Sequence, residues 1–343
     1  MKKSLLALAV LGAFAGVASA QSSVTLFGVV DVNAHYVKND AAKRRVSLST
    51  DGINSSRLGF RGVEDLGGGM KAGFWLEGGV NADTGTVDTT RFFGRRATVS
   101  LLGGFGEVRL GRDYTPSFWN MTIFDAFGTN GVGSSLNVNQ LFAGTRVRAD
   151  NSIGYFLPSN IGGLYGQFQV AAAENGTAPG NPGRYVGARI GFAAGPFDIA
   201  GSYAEQKFVS GATSLKSLNI GGSYDFGVVK LLSYYNQNKQ GSDKDSMFSV
   251  SALVPLGQGE IHVGYDTDKR TNTVTTKVDQ LKAGYVYNLS KRSAVYSTVS
   301  MLKNKNGTRS AIGGGNAYGS DPTATVGASP KSTGFEVGVR HIF

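Results

Sequence analysis

Beyond residue 20 this chain has no apolar run long enough to cross a bilayer as a helix, yet apolar and polar side chains alternate over unusually long segments. Within 24–37, one face takes Leu26, Gly28, Val30, Val32, Ala34 and Tyr36, and the other takes Thr25, Asp31, Asn33 and His35. At the C-terminus Phe335, Val337, Val339, His341 and Phe343 stand opposite Gly334, Glu336, Gly338 and Arg340. Successive side chains of a strand point to opposite faces, so these segments read as β-strands with one apolar and one polar side. They are long for strands of a soluble protein, which usually run to ~5–6 residues.

Sixteen such segments follow one another, at about 24–37, 55–64, 71–79, 92–102, 107–112, 147–157, 164–174, 185–193, 197–208, 216–226, 228–236, 247–255, 260–268, 279–288, 293–303 and 332–343. Short joins with turn chemistry, such as 65–69, 103–106, 158–160, 194–196 and 255–257, alternate with long polar ones at 38–54, 80–91, 175–184, 237–246 and 304–331. An even set of strands of this length, joined short and long in turn, predicts an all-β, sixteen-stranded antiparallel transmembrane barrel with short periplasmic turns and long extracellular loops. Closure is required because hydrocarbon leaves no partner for an open sheet edge. The polar row is also rich in charge: Asp31, Arg57, Arg61, Glu77, Arg96, Glu107, Arg109, Arg148, Arg189, Lys282, Glu336 and Arg340. A water-filled lumen accommodates such a row.

Composition agrees. The 343 residues include 50 glycines, 20 Phe and 14 Tyr, with no G-X-Y repeat and only 8 prolines. In-strand glycines such as Gly28, Gly59, Gly111, Gly166, Gly201, Gly222 and Gly284 suit curvature and close packing beside rings. Tyr36, Tyr285 and Tyr287, near strand ends, suit an interfacial aromatic girdle. Residues 1–20 begin Met-Lys-Lys, continue through an apolar stretch and finish Ala18-Ser19-Ala20, the pattern of a secretory signal peptide cleaved between Ala20 and Gln21. Residues 21–343 then form the barrel. Loss of Lys2 and Lys3 lowers the formal net charge from +10 to +8.

The stretches Ser56-Arg57-Leu58-Gly59-Phe60-Arg61-Gly62-Val63-Glu64-Asp65-Leu66-Gly67 and Gly104-Phe105-Gly106-Glu107-Val108-Arg109-Leu110-Gly111-Arg112 resemble signature segments of general Gram-negative porins of the beta-proteobacterial type. The opening Ser23–Gly28 and the closing Gly338–Phe343 do so as well. The resemblance spans residues 21–343. It implies a homotrimer set among outer-membrane lipids and lipopolysaccharide, a third long loop folded into the pore, and Phe343 as an assembly signal read by the barrel-insertion machinery. It also includes anion-selective members, whose arginine cluster falls at positions equivalent by strand and motif to Arg57, Arg96 and Arg148.

The join 113–146 is unusually apolar for an exposed loop, with Phe118, Trp119, Met121, Ile123, Phe124, Phe127, Leu136, Leu141 and Phe142. It reads as the segment that narrows the lumen, with Asp125 near its tip. Arg57 and Arg61 share one face of their strand, Arg96 lies with Thr98 and Ser100, and Arg148 with Asp150 and Ser152. Arg109 and Arg189 occupy the polar row too. Because arginine stays charged and one-signed rings in a pore select the opposite ion, a positive wall of Arg57, Arg96 and Arg148 facing Asp125 is expected to favour small anions. The bland reading is pairing with Glu77, Glu107 and Asp150. Arg95 falls in the lipid-facing row, and a one-residue slip would exchange it with Arg96.

No G-x-S-x-G elbow, phosphate loop or H-E-x-x-H motif is present, and His35, His262 and His341 lie in separate strands. The chain therefore reads as a passive channel and not an enzyme, with no cofactor. The absence of cysteine removes thiolate metal sites. Basic residues are dispersed, which argues against nucleic acid. The alternative is a non-conducting adhesin or structural barrel, separable by conductance.

Overall fold

Strand alternation becomes a closed sheet in the computed structural model, which describes residues 23–39, 44–139, 147–173, 184–207, 213–308, 310–313 and 331–343. The barrel strands are β1 (Ser23–Asn39), β2 (Arg57–Gly67), β3 (Met70–Asn81), β4 (Arg96–Gly103), β5 (Gly106–Tyr114), β6 (Arg148–Phe156), β7 (Leu164–Ala171) and β8 (Tyr185–Ala194). They continue as β9 (Phe197–Gln206), β10 (Leu215–Asp225), β11 (Lys230–Gln240), β12 (Asp243–Leu256), β13 (Gly259–Thr271), β14 (Thr275–Asn288), β15 (Ser293–Lys305) and β16 (Lys331–Ile342). Each pairs antiparallel with its neighbours, and β16 returns to β1, opposing Arg340 to Asp31 and Glu336 to His35. All sixteen expected strands are present.

The faces are reversed relative to a soluble protein. Asp31, Asn33, Asn219 and Gln280 are buried inside, while Val30, Phe60, Ile190, Ile220, Leu281 and Val339 are exposed outside. An apolar outer belt on an edgeless sheet is stable in lipid, where every backbone donor finds a strand partner. One close approach depends on glycine. A Cβ on Gly28 would lie 2.3 Å from the Phe343 ring, and Gly28 exchanges both backbone hydrogen bonds with Phe343. Phe343 thus caps the seam by covering a glycine.

The expected long join 237–246 is corrected. Lys239 pairs with Lys244 and Gln240 with Asp243, leaving a tight turn in which Gly241 has φ +61°. The polar residues there continue the strands beyond the apolar belt, so polarity marked height above the membrane and not a loop. In the first long join, Arg45–Thr50 folds back onto β1.

The packed core lies inside the lumen. After β5, Thr115 caps a helix, α1 (Pro116–Ile123), by accepting from the Phe118 N–H, with Pro116 in the first turn. Helix α1 packs on β7–β10. Phe118, Met121, Phe124, Val132, Leu136 and Val138 of this inward loop are buried against Ala200, Tyr234, Met247, Val278 and Leu302 of the far wall. The reading of 113–146 as an inward segment holds over its described part; Leu141 and Phe142 lie outside the described residues, as do Ala20 and Gln21.

Candidate pore constriction

The inward loop is held by polar bonds at successive points around the wall. Asn120 donates to the Ala200 carbonyl at 3.1 Å and to Asn219 at 2.6 Å, the Ala126 N–H to Ser251 Oγ at 3.1 Å, and Gln280 to the Val132 carbonyl at 3.3 Å. The Val132 N–H donates to Glu336 at 3.2 Å. Gly131, at φ +62°, passes so near Gly52 that a Cβ would meet its carbonyl oxygen at 2.2 Å. The loop therefore covers the β9–β16 side and leaves the passage against β1–β6, with Tyr165 of β7 and Arg189 of β8 at its edge.

Two chambers meet there. The one towards the long loops, about 540 Å³, is lined among others by Asp51, Arg95, Arg148 and Asn130. The one towards the turns, about 740 Å³, is lined by Arg61, Arg96, Arg109, Arg189 and several rings. Arg57, Tyr114 and Trp119 line both, and so mark the junction. Trp119 is 40% exposed, although its neighbours Phe118 and Asn120 are buried.

Of the expected residues, Arg57, Arg61, Arg96, Arg109 and Arg189 share the larger chamber, and Arg148 lies in the other. Their environments differ. Arg109 makes a bidentate pair with Glu107 at 3.0 and 2.9 Å and also reaches Asp113. Arg57 lies 3.9 Å from Glu77, and Arg96 lies 3.7 Å from Asp113. Among the described residues Arg61, Arg148 and Arg189 form no ion pair within 4 Å. They rest on rings instead: Arg61 is 5.2 Å from Trp75, Arg148 4.3 Å from Tyr114, and Arg189 4.6 Å from Tyr165. Arg189 also donates to Asn120 at 2.7 Å, tying the wall to α1.

Three expectations are corrected. Asp125 does not face the arginines. It is buried on the opposite side, where Lys282 Nζ on β14 donates to it at 3.1 Å and reaches Asp266 on β13 at 2.9 Å. Flanking Phe124 and Phe127 carry it there by burying their rings. Second, Arg95 is luminal, not lipid-facing. It precedes β4, outside strand alternation, and donates to Glu77 and to the Tyr114 hydroxyl, both at 2.7 Å. Both Arg95 and Arg96 point inward without any register slip.

The third concerns Arg148, Asp150 and Ser152, expected on one face. The β5–β6 register shifts between Gly111 and Asp113, and such a bulge breaks the alternation. Ser152 stays inside, whereas Asp150 pairs with Arg91 at 2.7 Å and with Arg112. Arg148 meets Arg95 at one oxygen, since each donates to the Tyr114 hydroxyl at 2.7 Å. Sequence reasoning missed Tyr114 and Trp119 as lining residues. Only their place at the start of the apolar loop hinted at them.

Nine guanidiniums (Arg57, Arg61, Arg91, Arg95, Arg96, Arg109, Arg112, Arg148, Arg189) thus line the two chambers, against six carboxylates that line them or pair with these arginines (Asp51, Glu77, Asp88, Glu107, Asp113, Asp150). Asp51 belongs to the first loop. Burial pushes its carboxyl up from 3.8 to about 6, against the lowering effect of hydrogen bonds from the Ser56 N–H and Thr50 and of the Arg95 charge.

A family model described as Gram-negative porin matches residues 7–307. The chain belongs to that family. Outer membrane porin protein 32 of Delftia acidovorans is 42% identical to this porin, with both chains covered in full. An anion-selective porin from Comamonas acidovorans has the same architecture, with 38% identity, a TM-score of 0.81, and coverage of 94% of this chain and 100% of that one. A trimer form of OmpT from Vibrio cholerae shares the fold at 13% identity, a TM-score of 0.67, and coverage of 94% and 99%. This porin is an outer-membrane protein.

Proposed function

We propose that this porin is a passive, anion-preferring diffusion channel for small hydrophilic solutes, working as a homotrimer. The observation that carries the reading is the excess of guanidiniums over carboxylates where the inward loop narrows the lumen. A water-filled passage with low-dielectric walls focuses that potential and enriches anions at its mouth. In this reading Arg57 supplies charge at the junction and Arg96 in the larger chamber, Arg61, Arg148 and Arg189 supply charge not offset by a paired acid, and Arg109 braces Glu107 and Asp113. The anion selectivity of the Comamonas relative supports the preference, and the trimer form of OmpT supports the trimer. Solutes cross down their gradient with no bond made or broken.

Export rests on the residue 1–20 leader, cleaved between Ala20 and Gln21. The apolar belt takes outer-membrane lipids and lipopolysaccharide as neighbours, and Phe343 serves as the signal to the assembly machinery. Reconstitution in planar bilayers under a KCl gradient tests the channel. We expect stepwise conductance and a reversal potential of the sign set by chloride. A closed barrel, or a potential of the opposite sign, contradicts the reading.

A further inference from the structure

The charged wall is interleaved with rings, and bare anion selection does not require that. In the larger chamber Arg96 lies over the Trp75 ring at 4.5 Å and Arg61 at 5.2 Å, while Arg61 also reaches Phe27 at 5.4 Å. Arg109 lies 3.9 Å from the Phe156 ring. Arg109 already has its fork on Glu107 and Asp113, but Arg61, held by its face and with no ion pair within 4 Å among the described residues, keeps edge N–H groups for a carboxylate, in a fork that matches both oxygens. Opposite, the inward loop presents Trp119 at the junction of the chambers, 40% exposed and 5.5 Å from Tyr114. Of the other large apolar side chains of α1, Phe118 and Met121 are buried against the wall and Ile123 is partly buried against the same cluster. An indole 40% exposed beside a passage keeps apolar surface that its contact with Tyr114 leaves uncovered.

We propose that this strip is a binding track for aromatic carboxylates: the carboxylate seats on the edges of Arg57 or Arg61, and the ring lies against Trp119. The inference rests on the porin reading and names a preferred class of solute. An aliphatic acid such as acetate can use the guanidiniums but has no ring to offer. Offset ring packing adds roughly a two- to tenfold gain in affinity over charge pairing alone. Phosphate and chloride use only the charged half of the strip.

The test is single-channel recording of the intact reconstituted porin in KCl, with benzoate or acetate added as the probe. Benzoate should depress the chloride current at a concentration about two- to tenfold below that needed for acetate. In Trp119→Ala the two half-blocking concentrations should converge, and in Trp119→Phe the gap should persist. The readout is the benzoate-to-acetate ratio, which a general change in pore width does not set. If Trp119→Ala fails to assemble, Trp119→Leu carries the same test, because it keeps apolar bulk without a ring. Equal block by both acids in the native porin, or an unchanged ratio in Trp119→Ala or Trp119→Leu, overturns the track. Absence of any chloride current would instead overturn the channel reading.

Discussion

On the β1–β6 side of the lumen, Arg61 and Arg148 stand against rings with no carboxylate within ion-pair reach among the described residues, beside open passage. On the β12–β16 side, Lys282 lies fully buried between Asp125 and Asp266, with the Phe127 ring 4.7 Å from its ammonium. Both walls are built from inward polar rows of the same sheet. The difference is the inward loop, which covers one wall and leaves the other wet. A charge beside water is screened but acts on solutes, whereas a charge under the loop must be matched locally and acts on structure. The same residue chemistry therefore serves conduction on one side and anchoring on the other.

The largest expected effect lies on the buried side. Lys282→Met strands Asp125 and Asp266 without their cation and should cost about 3–5 kcal/mol, read as a lower denaturant midpoint for the reconstituted porin. Adding Asp125→Asn should recover part of that loss. Full native stability in Lys282→Met would break the contrast between the walls. Gly131→Ala should come next, at about 1–3 kcal/mol, since a Cβ at φ +62° also meets the Gly52 carbonyl. Limited proteolysis of the inward loop should report it.

The smallest effect is electrostatic and sits at the mouth of the wet side. Burial holds the Asp51 carboxyl at about 6, so it is ionised at pH 7.5 and neutral at pH 5. Acidification over that range removes one negative charge near Arg95, and anion preference should rise modestly. Asp51→Asn should show the low-pH selectivity throughout. A fall in anion preference between pH 7.5 and 5 contradicts this assignment.

Much of this contrast was legible in the chain, because a two-residue period assigns a face to each strand residue. Arg57, Arg61, Arg109, Arg189 and Lys282 point inward as their parity requires. The period fails where the backbone leaves the ladder. Arg95 lies just before β4, and the β5–β6 bulge separates Asp150 from Ser152, so neither could be placed by alternation. Asp125 belongs to a loop whose path depends on where Phe118, Met121 and Phe124 find apolar partners, a long-range packing outcome with no periodic trace. Polar strand ends near 237–246 misled for a related reason: above the membrane both faces of a strand can be wet.

The central claim is that the guanidiniums of the wet wall that have no paired acid set selectivity. Its most direct test is the reversal potential across a tenfold KCl gradient for the native porin and for Arg61→Glu/Arg148→Glu. The account predicts that the native potential follows chloride and that the double charge reversal moves it markedly towards the potassium value. A potential unchanged by both substitutions, in channels that still conduct, would contradict it.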